Sequence, residues 1–279
     1  MVVTHNSERD VAACIESLRA AGAARVIVVD SASGDGTLDI ARLAGAEVIA
    51  LDDNRGFGAA ANRGVAASTS DFVAISNADL VVDAGVIDAC VEAMESHPSA
   101  AVVGPRIDRP DGTRYPSART FPRLGTALGH GLLAFIAPSN RYSRRYRRDD
   151  WDPTETVAVD WVSGTFLLAR RRALSGVGGF DESYFMYVED VDLCWRLRAA
   201  GWDTLLAPMA RVVHLIGGSS QGRPLAMIVE HHRSLWRFAC RTTQGPQRLL
   251  LPVVAVGLAA RVVVAWVEHL VRRRPHADR

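Results

Sequence analysis

The sequence predicts an α/β protein: a doubly wound, mostly parallel sheet flanked by helices, with further helices toward the C-terminal end. Three observations predict it. Short runs rich in β-branched and apolar residues recur at 25–30, 46–51 and 71–76. They are almost continuously apolar, as strands covered on both faces are. Helical periodicity fills the intervals, and polar residues collect after each strand, where open α/β sheets bind their ligands.

The elements follow in order. Met1-Val2-Val3-Thr4 opens the chain directly in a short strand, without a signal-peptide pattern. Ser7 suits the N-cap of a helix with Val11, Ile15 and Leu18 on one stripe, and Gly22 follows its end. The strand at 25–30 leads to a helix at 37–43 that Gly45 closes. After the strand at 46–51, Asn54-Arg55-Gly56-Phe57-Gly58-Ala59-Ala60-Ala61-Asn62 opens a third helix. The strand at 71–76 runs into Asn77-Ala78-Asp79. The strand ends therefore carry Thr4-His5-Asn6, Asp30-Ser31-Ala32-Ser33, Asp52-Asp53-Asn54-Arg55 and Asn77-Ala78-Asp79. Turn chemistry accounts for Asn, Asp and Ser in loops. It does not account for an acid at each of the last three ends. Past residue 105 the pattern changes. Pro110-Asp111-Gly112-Thr113 reads as a tight turn and 115–157 as an irregular insertion. Residues 160–169 read as one buried strand, 202–207 and 211–214 as two short ones, and 224–242 and 246–272 as helices.

With 279 residues, 48% hydrophobic and 23% charged, the chain has the make-up of a folded protein of one large domain, with or without an appendage. A net charge of +1 gives no nucleic-acid signal. Cys14, Cys90, Cys194 and Cys240 are scattered without metal spacing and suit a reducing, cytoplasmic setting. Two features stand apart. Arg141-Tyr142-Ser143-Arg144-Arg145-Tyr146-Arg147-Arg148 is a concentrated basic run that reads either as a grip for phosphate or as a solvated insertion. Residues 249–271 are apolar but interrupted by Pro252, Arg261 and Glu268, and Arg272-Arg273-Arg274 follow. That pattern fits a helix lying on a membrane surface better than one spanning it; a helix packed on the protein body is the competing reading.

The densest chemistry lies in Phe180-Asp181-Glu182-Ser183-Tyr184-Phe185-Met186-Tyr187-Val188-Glu189-Asp190-Val191-Asp192-Leu193-Cys194-Trp195-Arg196, behind Gly178-Gly179. Carboxylates held among aromatics have environment-dependent pKa values, which a general base or a metal site requires. The competing reading is a helix whose first turn carries Glu189, Asp190 and Asp192 to complement the macrodipole, with Arg196 as an ion-pair partner inside it. Asp79 is placed to hold a divalent cation that bridges a diphosphate, and His214, ending a late strand, could add an imidazole. A hydrogen-bonded core histidine is the plain alternative for His214. Gly56-Phe57-Gly58-Ala59-Ala60-Ala61 also matches the glycine pattern of a dinucleotide-binding oxidoreductase, though not in the first βα turn and without a use for the acidic cluster.

Taken together, these segments resemble glycosyltransferase family 2, the inverting nucleotide-sugar transferases of GT-A fold. The matches run in order through residues 2–7, 29–37, 54–58 with Asn62, 77–79, Val162-Ser163-Gly164-Thr165, Gly179-Phe180-Asp181-Glu182 and Glu189-Asp190-Val191-Asp192. The resemblance implies a donor site of Thr4, Asn6, Asp30, Arg55, Asn62 and Asn77. It implies acceptor contacts from Asp181, Glu189, Ser163 and Gly164, a catalytic base at Asp190, and a Mg2+ or Mn2+ ion at Asp79 and His214. Asn77 stands where the family's metal motif has its first acid, and this resembles the rhamnosyltransferase branch. The donor implied is dTDP-rhamnose or a UDP-sugar, and the acceptor a glycan or lipid-linked saccharide of the cell envelope. A nucleotide-binding half at 1–105 and an acceptor and catalytic half at 106–223 would make one domain. Residues 224–279 would form a helical segment at the inner face of the membrane. A noncatalytic nucleotide-sugar or glycan-binding protein is the other alternative.

Overall fold

The computed structural model describes residues 1–122, 153–215 and 224–272. Strands β1 (Val2–Thr4), β2 (Ile27–Ser31), β3 (Glu47–Leu51) and β4 (Phe72–Asn77) alternate with helices α1 (Val11–Ala20), α2 (Thr37–Leu43) and α3 (Phe57–Ala67). The strands pair in parallel in the order β3-β2-β1-β4. All five residues of β2 are buried, as its apolar run predicts, while β3 at the sheet edge is half-exposed.

The sheet continues as β11 (Phe166–Arg170), β6 (Ala100–Asp108), β12 (Asp203–His214) and β5 (Leu80–Val82). Strand β11 runs antiparallel to both β4 and β6, so the sheet is mixed. Short strands β7 (Arg114–Tyr115) and β9 (Val157–Val159) pair with β6 and β12. Strands β8 (Ala118–Arg119) and β10 (Trp161–Val162) form a separate ribbon. Helices α4 (Val86–Ser96), α5 (Arg171–Gly176), α6 (Glu189–Ala199), α7 (Pro224–Thr242) and α8 (Leu251–Arg272) complete the described residues.

Alternation along the strands divides the core. Val2, Val28, Phe166 and Leu168 face one side with Val11, Ile15 and Leu18 of α1 and Met94 of α4. Val29, Ile75, Leu167 and Ala169 face the other with Ala60 of α3 and Leu193 and Leu197 of α6. A third cluster joins Trp161, Tyr184, Val188, Val191 and Cys194 to Phe238 of α7.

Two expectations change. The run at 160–169 is two strands, because the chain turns at Ser163-Gly164-Thr165 between β10 and β11. The runs at 202–207 and 211–214 are one strand, β12, with a register shift between Ala207 and Arg211 that lets a single strand change its pairing partners. Helix α7 packs into the third cluster through Phe238. Cys14, Cys90 and Cys194 are buried free thiols. The basic run at 141–148 lies outside the described residues.

Candidate active site

The turn that splits β10 from β11 organises the site. Ser163 N–H donates to the Ser117 carbonyl at 2.7 Å, and the Ser163 and Thr165 hydroxyls bond to each other at 2.8 Å. Gly164 N–H, thereby fixed, donates to Asp190 Oδ2 at 2.8 Å. Asp190 Oδ1 accepts from Val191 N–H at 2.8 Å. One residue on, the Thr165 carbonyl accepts the Asn77 N–H at 3.0 Å. The turn therefore ties Asp190 to the segment that carries Asp79.

Glu189 and Asp190 start α6, and their environments push them apart. Glu189 is 7% exposed and its Oε2 has no partner. Burial, then the charge of Asp190, push its carboxyl up to about 8. Burial also raises Asp190, against the N–H groups of Gly164 and Val191 and the positive charge of Arg119 on β8, all of which favour its anion. At neutral pH the pair holds a protonated Glu189 beside an Asp190 equipped to carry the charge. Paired acids with divergent environments are a recurring arrangement for proton transfer. The backbone entering α6 is unusual too, since Tyr187 and Val188 have φ of 66° and 70°. A β-branched residue there is strained, and such strain persists where surrounding packing imposes it. Val188 is held in the third cluster, and the Tyr187 ring meets His231 of α7 edge-on at 5.2 Å.

Asp79 and His214 come together as expected, with Nε2 and Oδ2 at 3.1 Å. They follow β4 and end β12, and the antiparallel pairing of β5 with β12 brings them side by side. His214 Nδ1 is buried with no partner, and its ring meets Tyr115 edge-on at 5.7 Å. One carboxylate and one imidazole, already in contact, fit a divalent cation that takes its other ligands from substrate phosphate and water. Among the described residues no group of three or more acidic, His or Cys side chains could hold a metal.

The expected donor residues gather at the ends of β1 and β2. Asp30 is fully buried, and its carboxylate accepts from the hydroxyls of Thr4 at 2.8 Å and Ser33 at 2.6 Å and from Ser33 N–H at 2.9 Å. Asn6 sits at φ 52°, accepts the Gly34 N–H at 2.8 Å, and gives its own N–H to Ser33 Oγ at 2.8 Å. Asp30 thus shapes the loop at the end of β2. Ser31 beside it has a buried hydroxyl without a partner, which the sequence did not single out.

Arg55 and Asn62 turn toward the acidic segment. Asn62 donates to the Phe180 carbonyl at 2.9 Å and to Glu182 at 3.1 Å, and accepts the Phe180 N–H at 2.8 Å. Arg55 lies 3.7 Å from Glu182. The glycine pattern at 56–61 has the same purpose. A Cβ on Gly56 would fall 2.0 Å from the Phe185 carbonyl, and one on Gly58 3.0 Å from Phe180 Cβ. These glycines let α3 meet the acidic loop, so the motif needs no dinucleotide to explain it.

Asp181 and Asp192 form an ion network in which the Arg196 pair inside α6 was expected and the part of Arg241 was not. Arg241 of α7 reaches Asp181 at 2.5 Å and Asp192 at 2.8 Å, and Arg196 closes the i,i+4 pair with Asp192 at 2.7 Å. Burial pushes the Asp181 carboxyl up, but bonds from Ser183 and the Arg241 charge outweigh it and hold it below the usual range. The network spans 60 residues of sequence between Asp181 and Arg241, which no local pattern reveals.

Comparison with known proteins places the chain in a family. The model of the family "Glycosyl transferase family 2" matches residues 1–175. The N-acetylglucosaminyl-diphospho-decaprenol L-rhamnosyltransferase of Mycobacterium tuberculosis is 37% identical over 233 residues, covering 79% of this chain and 76% of that protein. Rhamnosyltransferase WbbL of Escherichia coli is 30% identical over 129 residues, 45% of this chain and 44% of its own. Among solved structures, a mannosyltransferase from Pyrobaculum calidifontis in complex with GDP-Man and Mn2+ superposes with a TM-score of 0.58 at 17% identity, covering 98% of this chain and 80% of that one.

Proposed function

The chain belongs to glycosyl transferase family 2 and is a glycosyltransferase of GT-A fold; from that premise we propose that it moves L-rhamnose, with inversion, from a nucleotide diphosphate-sugar to a hydroxyl of a lipid-linked saccharide at the inner face of the cell membrane. The observation that carries the reading is Asp190, aimed by Gly164 N–H and kept basic beside a protonated Glu189. The attacking acceptor hydroxyl gives its proton to Asp190 as its oxygen bonds to the anomeric carbon. The bond from that carbon to the leaving diphosphate oxygen breaks on the opposite face. General-base assistance of this kind is worth roughly 10² to 10⁴ in rate. Asp79 and His214 would hold a Mg2+ or Mn2+ ion whose charge stabilises the leaving diphosphate. Thr4, Asn6, Asp30 and Asn77 are assigned to the donor side, with Arg55 and Asn62 fixing the loop between the two sides. Ser163, Gly164, Asp181 and Glu189 are assigned to the acceptor side. The rhamnosyl donor and the lipid acceptor rest on the Mycobacterium tuberculosis relative, whose name specifies both.

A screen of dTDP-rhamnose, UDP-sugars and GDP-sugars, with a diphosphate-linked N-acetylglucosamine lipid as acceptor and release of nucleoside diphosphate as readout, tests this directly. Turnover should be confined to dTDP-rhamnose and vanish with chelator. Turnover with another donor alone would replace the sugar assignment. Equal nucleoside diphosphate affinity with and without chelator in calorimetry would remove the cation.

A further inference from the structure

A basic corner beside the base adjoins an apolar groove. His231 of α7 touches the Tyr187 ring at 5.2 Å and His232 at 5.6 Å. Burial, then the charges of His232, Arg261 and Arg119, push His231 down to about 4, so it is a neutral imidazole at neutral pH and the charge of the corner comes from the two guanidinium groups. Arg119, whose guanidinium lies 5.6 Å from the Trp161 ring, acts on Asp190 as well. His231 packs on Tyr187, two residues before Glu189, so the corner lies beside the entry to α6. It is built from three separate elements: β8, α7 and α8. Arg261 is followed at once by Val262, and Ile228 sits about one helical turn before His231, with Val229 next to it in sequence. Those apolar residues, with Leu225, Ala226 and Trp266, line a groove of about 190 Å³ between α7 and α8.

We propose that this corner and groove form one site for an amphiphilic acceptor: Arg119, His231 and Arg261 hold its diphosphate, and the groove between α7 and α8 takes the first part of its hydrocarbon chain. Charge and polarity select the ligand. A guanidinium pair suits a diphosphate, which accepts forked hydrogen bonds. The apolar groove begins where the basic corner ends, so the ligand must change from anionic to apolar over a short length. A diphosphate-linked hydrocarbon does that, whereas a free sugar or nucleotide would leave the groove empty. The site also presents a saccharide on the far side of the diphosphate to Asp190. The inference rests on the transferase reading and names the residues that select its acceptor.

Calorimetry on the full chain, saturated with nucleoside diphosphate to fill the donor side, decides it. The probes are farnesyl diphosphate, farnesol, inorganic diphosphate and soluble dihexanoyl phosphatidylglycerol. Farnesyl diphosphate should bind at least about ten-fold more tightly than each of the others. Arg261→Gln should weaken farnesyl diphosphate and inorganic diphosphate alike, about ten-fold. Val262→Asp should weaken farnesyl diphosphate by a similar factor and leave inorganic diphosphate unchanged. Both positions lie on the partly exposed α8, and unchanged far-ultraviolet dichroism of each variant would show the helix intact. If farnesyl diphosphate binds no better than farnesol or inorganic diphosphate, the composite site does not exist. Equal binding of the phosphatidylglycerol would make the surface a general lipid contact and overturn the proposal. If nucleoside diphosphate binds and farnesyl diphosphate does not, only this site falls. If nucleoside diphosphate fails as well, the donor reading beneath it falls too.

Discussion

Asp190 and Glu189 are neighbours in sequence, yet the proposed reaction uses only Asp190 as its base. Asp190→Asn keeps the shape and the Gly164 contact but cannot take a proton. Turnover should fall at least about 10²-fold while calorimetric affinity for nucleoside diphosphate holds. More than about a tenth of the wild-type turnover would remove Asp190 from the base role. Glu189 makes a different prediction, through pH. Its carboxyl titrates near 8 in the fold and near 4.5 in the unfolded chain. The folded state therefore holds the extra proton between these values, and its stability falls as pH rises through that window. Glu189→Gln removes the cost, so the variant should melt higher than wild type at pH 9 and match it at pH 4. An equal gap at both pH values would show that Glu189 is not protonated in the fold. The sequence exposed both carboxylates through their setting among aromatics. It could not tell which was buried, because α6 has acids throughout its first turn and only packing against the third cluster separates them.

At the level of elements, helix α7 works as a clamp. Ser234 donates to the Met186 carbonyl at 2.9 Å, Phe238 fills the third cluster, and Arg241 bridges Asp181 to the fully buried Asp192. These contacts hold Tyr187 and Val188 in their left-handed conformation. Arg241→Met should destabilise the protein by about 2 kcal/mol in urea unfolding. That is less than the full cost of breaking a buried pair, because Arg241 is 35% exposed and Arg196 still faces Asp192. Turnover should fall with it, since the clamp positions the entry to α6. An unchanged midpoint would mean that Arg196 alone satisfies Asp192. Little of this was legible beforehand. Strands β2, β3 and β4 could be read from continuous apolar runs, and α1 from its stripe, because both signals are local. The antiparallel course of β11 and the docking of α7 depend on partners far away in the chain. The break at 163–165 was hidden because its residues are buried like the strands on either side. Asp79 and His214 were legible as strand ends, and their contact followed from the pairing of β5 with β12.

At the scale of the molecule, the apolar surface of α8 is conspicuous. Val253, Val256, Val263 and Trp266, with Leu249 just before the helix, are each more than half exposed. Residues Gly245–Trp266 are long and apolar enough to cross a membrane, with mean hydropathy 2.2 and none of the stretch buried. Arg261 opposes a spanning arrangement, since a charged side chain there costs about 2.5–3.5 kcal/mol at the bilayer centre. The protein should float with anionic vesicles at low salt and leave them at high salt, while truncation before Leu249 should weaken the association. Extraction by detergent alone would instead mean that the helix spans. The turn at 163–165 has a further consequence for the molecule as a whole. Its backbone fixes the base against the strand end that leads to Asp79, so the spacing of the reacting centre is set by the sheet. The groove and its basic corner belong to the peripheral helices and a ribbon. On the proposed acceptor site, preference can therefore drift by changes in α8 and on the groove-facing side of α7, away from the Ser234, Phe238 and Arg241 clamp, without retuning the bond-making apparatus. A fold organised in this way hands one reaction to many recipients.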